Sequence, residues 1–213
     1  MSTIRIPSLI VALVATGLAV LMVSPGVASA DDRVIRGDYT VRSGVTIDDN
    51  IKIYGGTLTV HGRVEANVDQ YGRGSVVVGA AGYVAGNIEE RAAGRVAVSG
   101  DVDGNVEEGG TGGVLLSRSG HIGGNIIEKS GGGVDVRGDL EGNIEEYDAG
   151  PVVVGRYAHV DGNVYERRDG RLEVRGSVEG DVSESGRGDL LLDSTARIAG
   201  DVDEAGGGRI IRR

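Results

Sequence analysis

Residues 123–164 read GGNIIEKSGGGVDVRGDLEGNIEEYDAGPVVVGRYAHVDGNV, and within them the Gly-Asn pair ends at Asn125, Asn143 and Asn163. The two intervals are 18 and 20 residues. The same mark continues outward in both directions, at Asn67, Asn87, Asn105, Asp181 and Asp201, with the intervals still alternating; Asn67 follows Ala66 where the others follow Gly. A fixed period near 19 residues, with no helical or Pro-kinked unit inside it, is the signature of a solenoid in which each repeat is one coil laid on the last.

Counting from each mark resolves the coil. Three residues before it stand Val64, Val84, Val102, Ile122, Leu140, Val160, Val178 and Ile198, and one residue after it Val68, Ile88, Val106, Ile126, Ile144, Val164, Val182 and Val202. Nine and eleven residues after it come pairs such as Val96/Val98, Val114/Leu116 and Leu172/Val174. Period-two spacing of β-branched residues specifies strands. Seven residues after every mark, from Gly74 to Gly208, there is a Gly, which predicts a corner with positive φ. The longer coils carry two extra residues before the next mark, as in Gly79 to Tyr83 and Arg156 to His159, so the true unit is a 38-residue pair. The segment Ile51 to Val60 fits the scheme with one residue missing, which places the start of the stack near residue 34. The expectation is an all-β, single-domain parallel β-helix of about nine coils over residues 31–213, on the order of 40 Å long. Its core is aliphatic: Phe and Trp are absent.

The first thirty residues are of another kind. Arg5 precedes an apolar run from Leu9 to Val23, followed by Pro25 and the Ala28-Ser29-Ala30 triplet, the pattern of a secretory signal peptide with its cleavage site. The run is short for a membrane span. The expected localisation is therefore secreted or at the cell envelope, with no membrane span after signal cleavage. There is no Cys to form a disulfide.

The phrasing of the coils, RLEVRGSVEGDV at 171–182, GRVAVSGDVDGNV at 94–106 and GGTLTVHGRVEANV at 55–68, resembles the bactofilin family of polymer-forming proteins. That resemblance implies a β-helix whose terminal coils stack into filaments without nucleotide. Two features depart from the family. Bactofilins are typically cytosolic or attached to the cytoplasmic membrane, whereas this chain begins with an export signal; and where the family usually has a small residue three after the mark, this chain has Glu.

That column comprises Glu90, Glu108, Glu128, Glu146, Glu166, Glu184 and Glu204, with Gln70 at its start. Stacked carboxylates about 5 Å apart repel. The first reading is an exposed turn in which they splay into water beside Arg91, Lys129 and Arg167. A second is cation binding, calcium being suited by its preference for oxygen ligands, although the G-G-x-G-x-D calcium repeat is absent. The Asn column reads as a ladder of side-chain amides bonded across coils. Ten after the mark, Val77, Leu115, Val153 and Leu191 point outward on alternate coils, either covered by the insertions or open to lateral contact. Arg212, where an aliphatic residue belongs, reads as a cap on the final coil.

The net charge of −10 disfavours a nucleic-acid partner. His121 and His159 share one outward column two coils apart, without a positioned partner of the kind catalysis needs. The expectation is thus a secreted structural protein, not an enzyme, that self-associates into polymers or an envelope scaffold, with cell-wall or surface contact and no cofactor. The alternatives are a monomeric acidic surface or cation-binding module and, third, a carbohydrate-active β-helix enzyme.

Overall fold

The computed structural model describes residues 32–213; residues 1–31, which include the segment read as a signal peptide, lie outside the described residues. Twenty-nine short strands form three parallel sheets of ten, ten and nine strands, each adding one strand per coil. Sheet I takes the strands that follow the mark, such as Ile144–Glu146, and sheet II those nine to eleven residues on, such as Val152–Val154. Sheet III takes two-residue strands before the mark, such as His159–Val160. Parallel pairing throughout, in one unbroken register, is what a solenoid requires. Among the described residues there is no helix, hence none long and apolar enough to cross a membrane.

The stack has ten turns where about nine were expected. The additional turn begins at Asp32: strand Asp32–Arg36 pairs with Asn50–Tyr54, and Tyr39–Val41 pairs with Leu58–Val60. Asp32 and Asn50 occupy the mark column, because Asn50 is in register with Asp32, and Ile51 with Val68. The Asn50 side-chain Oδ1 accepts the Asn67 backbone N–H at 3.2 Å.

Inward residues of all three sheets form one aliphatic core, from Val41 and Ile47 to Leu192. Ile51, Leu116, Ile126, Leu172 and others show no solvent exposure. Fully burying a side chain of this size contributes roughly 1.5–3 kcal/mol. Tyr39 packs against the core at its first coil, whereas Tyr54 and Tyr71 on successive coils stack outside at 4.9 Å, with Arg36 over one ring and Arg91 over the other. Each two-residue insertion is a turn closed by its own backbone bond, as in Gly82 N–H to Gly79 O and Ala158 N–H to Gly155 O. It therefore lengthens a corner without disturbing the sheets.

The glycine column at the corner has a different cause from the one its sequence suggests. Only Gly74 among its members has positive φ, 145°. The others are required by close stacking: a Cβ on Gly132 would lie 1.4 Å from the Gly112 carbonyl oxygen, and one on Gly170 2.1 Å from that of Gly150. The Gly before each mark answers the same constraint, with a Cβ on Gly104 falling 2.4 Å from Gly86 O.

The Asn column is a ladder, built mainly from side chain to backbone. Each Oδ1 accepts the backbone N–H of the next mark, as Asn105 does from Asn125 at 2.7 Å and Asn125 from Asn143 at 2.8 Å. Amide-to-amide bonds join it at Asn50/Asn67, Asn105/Asn125 and Asn143/Asn163. Asp181 continues it, since a carboxylate oxygen serves equally as acceptor for Asp201 N–H.

Candidate functional site: an inward glutamate column and two open ends

The glutamates three after the mark face the core, contrary to the exposed-turn reading. Gln70, Glu90, Glu108, Glu128, Glu146, Glu166 and Glu184 are each 0% exposed, and Glu204, in the last coil, is half-buried. The reason is strand parity. Residues one and three after the mark lie on the same side of one strand, so if Ile144 is inside, Glu146 is too. Arg91, Lys129 and Arg167 do not serve the column. They pair with the outward acids of sheet I: Arg91 with Glu89 and Asp69, Lys129 with Glu107, Arg167 with Glu145.

What draws a carboxylate inside is the corner that follows. The chain turns from sheet I to sheet II, and its N–H groups point inward with no carbonyl to meet them. One oxygen of each glutamate accepts them. Glu146 Oε1 takes Asp148 N–H at 2.9 Å and Gly150 N–H at 3.1 Å; Glu166 Oε1 takes Arg168 at 3.1 Å and Gly170 at 3.0 Å. Glu90, Glu128 and Glu204 repeat the pattern, while Glu108 and Glu184 accept one such bond each.

The second oxygen has no such partner. Oε2 of Glu90, Glu108, Glu128, Glu146, Glu166 and Glu184 is buried without a hydrogen-bond donor, and so is Oε1 of Gln70, whose Nε2 donates to Gly56 O at 3.1 Å. The residues stand in register from Gln70 through Glu204. The side chains from Glu90 to Glu184 follow one another coil to coil on the same side of sheet I. Two ionised groups about 5 Å apart would repel by about 3 kcal/mol at an effective dielectric of 20. Burial, reinforced by neighbouring carboxyls and opposed by the corner N–H groups, pushes Glu90 up to about 7. Burial also takes Glu108 and Glu184 to about 7. Burial, reinforced by the flanking Glu128 and Glu166 and opposed by the corner N–H groups, takes Glu146 to about 9. Among the described residues, no three His, Cys, Asp or Glu side chains converge on a point that could hold a metal ion.

The histidines pair with nearby carboxylates on the outside. His121 Nε2 lies 3.5 Å from Glu141 and His159 Nε2 2.8 Å from Asp161, and Asp139 stands between the two in register. The outward apolar column is partly walled in. Val153 lies in a groove of about 540 Å³ with Arg118, Arg137, Arg156, Tyr157 and Arg175. Leu191 is only 4% exposed. Turn residues Arg156 and Tyr157 line that groove, and Val153 is half-buried.

The rod's two ends are the other feature that sequence parity leaves open. Among the described residues, strands Asp32–Arg36, Tyr39–Val41 and Thr46–Ile47 form one set of free edges, and Val202–Glu204, Ile210–Arg212 and Arg197–Ile198 the other. At the C-terminal end a hollow of about 410 Å³ is lined by Leu192, Ala196, Ile198, Val202 and Arg212. Arg212 stands opposite Leu192, an inward register position, and is exposed. At the other end Arg33 stands opposite Ile51 and donates to the Tyr39 hydroxyl at 3.2 Å. Val34 is 57% exposed there.

No curated protein and no solved structure matches the chain. The family comparison does find a match, and it covers the coils from Leu115 onward that contain most of the glutamate column. Ten stacked turns with free edges at both ends are the architecture that the resemblance implied, and the part of the chain spanning residues 115–206 matches the family described as Bactofilin, polymer-forming cytoskeletal.

Proposed function

We propose that the protein is an exported structural element that self-associates into polymers through its terminal coils and serves as a scaffold at the cell envelope. The observation that carries this reading is the pair of open ends. Among the described residues each presents three unpaired parallel edges arranged on the same three-sided cross-section, so the last coil of one copy can be continued by the first coil of the next. An unpaired edge is a template for another strand, and a contact between unlike ends is heterologous and open, hence filamentous. The bactofilin match at residues 115–206 and the solenoid support a polymer-forming structural protein. The signal-like sequence of residues 1–30 supports export, and with it an extracytoplasmic setting where wall or surface contact becomes available.

Two measurements test the reading. Cell fractionation with N-terminal sequencing should find the protein outside the cytoplasm, beginning at Asp31; an intact N-terminus on cytoplasmic protein refutes export. Light scattering over a dilution series should show mass growing with concentration. A constant monomer mass refutes self-association and leaves the acidic surface-binding reading.

A further inference from the structure

We propose that the buried column from Glu90 to Glu184 is a proton-binding spine, in which stacked carboxyls share protons while the rod is folded, so that folding takes up protons and alkaline conditions loosen the solenoid. The geometry leaves few other occupants. Six Oε2 atoms sit in the core with no donor, on residues stacked in register one coil apart, and a buried acceptor without a donor is costly. A proton placed on alternate carboxyls relieves the repulsion in every adjacent pair, and each protonated carboxyl donates one charge-assisted O–H···O⁻ bond to a neighbour.

Gln70 gives independent support. One N–H of its amide donates to Gly56 O, and its Oε1 remains a buried acceptor. The neighbour in register is Glu90, which can supply a donor only in its protonated form. A metal ion is a poorer occupant, since the column offers one free oxygen per coil and no converging set of ligands.

No other charge in the core competes for the column. Sheets II and III turn aliphatic residues toward it, Val96/Val98 to Leu190/Leu192 and Val102 to Val178. Below Gln70 the column continues with Ile53 and Ile35. At the far end it meets Glu204, and the exposed Arg212 is the one cation in an inward register position of that coil. The corner N–H groups are the remaining partners, and they bind the other oxygen.

The sign follows from linkage. The folded column holds protons that the unfolded glutamates release above about pH 4.5, so stability is greatest at or below that pH and falls as pH rises through 7 toward 9. The test is chemical denaturation of the whole protein at pH 5, 6, 7 and 8, with an infrared spectrum at pH 7. The unfolding constant should rise at least tenfold per pH unit between pH 5 and 7, one proton or more being released. The spectrum should show the carbonyl band of protonated carboxyls, lost on unfolding. Glu146→Gln should weaken that dependence by about tenfold per pH unit, as Gln70 shows that the column accepts an amide. If that variant fails to fold, the wild-type spectrum still decides. Stability that is flat or rises with pH, or a folded protein at pH 7 without the carboxyl band, overturns the proposal. A rise abolished by chelator would assign the column to a cation instead.

Discussion

Substituting Gly150 by Ala probes the stacking that defines the rod. The new Cβ would lie 1.4 Å from the Gly132 carbonyl oxygen, 2.6 Å from the Gly132 carbonyl carbon and 3.1 Å from Glu146 Oε1. Comfortable contact begins near 3.5 Å, so the corner has to open by about 2 Å. Such a displacement breaks the bond from Gly150 N–H to Glu146 Oε1, leaving a buried donor unpaired and the Glu146 carboxyl with one partner fewer. Losing a neutral hydrogen bond costs about 0.5–1.5 kcal/mol, an orphaned buried donor about 1–3, and forcing the packed corner open about 1–3. The expected penalty is about 3–5 kcal/mol, at the upper end for a single substitution. In a solenoid of this length that lowers the melting temperature by about 8–15 °C. The assay is thermal unfolding by circular dichroism, with Ala149→Ser at the neighbouring exposed position as control, expected to change stability by less than about 0.5 kcal/mol. If Gly150→Ala melts within about a degree of the parent, the glycine column does not owe its existence to coil contact and the reasoning fails.

Other perturbations address the remaining parts. Asn125→Ala removes the acceptor of Asn143 N–H and should cost about 1–2 kcal/mol in urea denaturation, whereas Asn125→Asp should be tolerated because Asp181 already fills that role. Arg212→Val replaces the exposed cation in an inward register position with a residue that suits the core, and should lengthen polymers seen by negative-stain microscopy. Unchanged lengths would show that Arg212 does not limit growth at the C-terminal edge.

The coil could be read from the sequence because its determinants are local and periodic. The apolar columns, the two-residue insertions and the 38-residue pair all reappear as strands, turns and registers. The first turn was harder to see, because Asp31 and Asp49 stand where later coils have Gly, and the marks Asp32 and Asn50 were thereby disguised. The glutamate column was misplaced for an instructive reason. Alternation alone puts Glu146 beside Ile144 on the inner side, but charge argued for water, and the corner N–H groups that reverse that preference appear only once the chain is bent. The glycine column was recognised as a corner, yet its cause, the carbonyl of the preceding coil, is a contact across 18 or 20 residues that no local pattern displays.

End-to-end continuation of the coil is the central claim, and axial diffraction from concentrated, aligned protein tests it most directly. The account predicts filaments one solenoid wide with an uninterrupted axial repeat of about 4.8 Å, the spacing of stacked strands. Discrete particles a single rod in length at the highest attainable concentration, or filaments lacking that axial repeat, would contradict it.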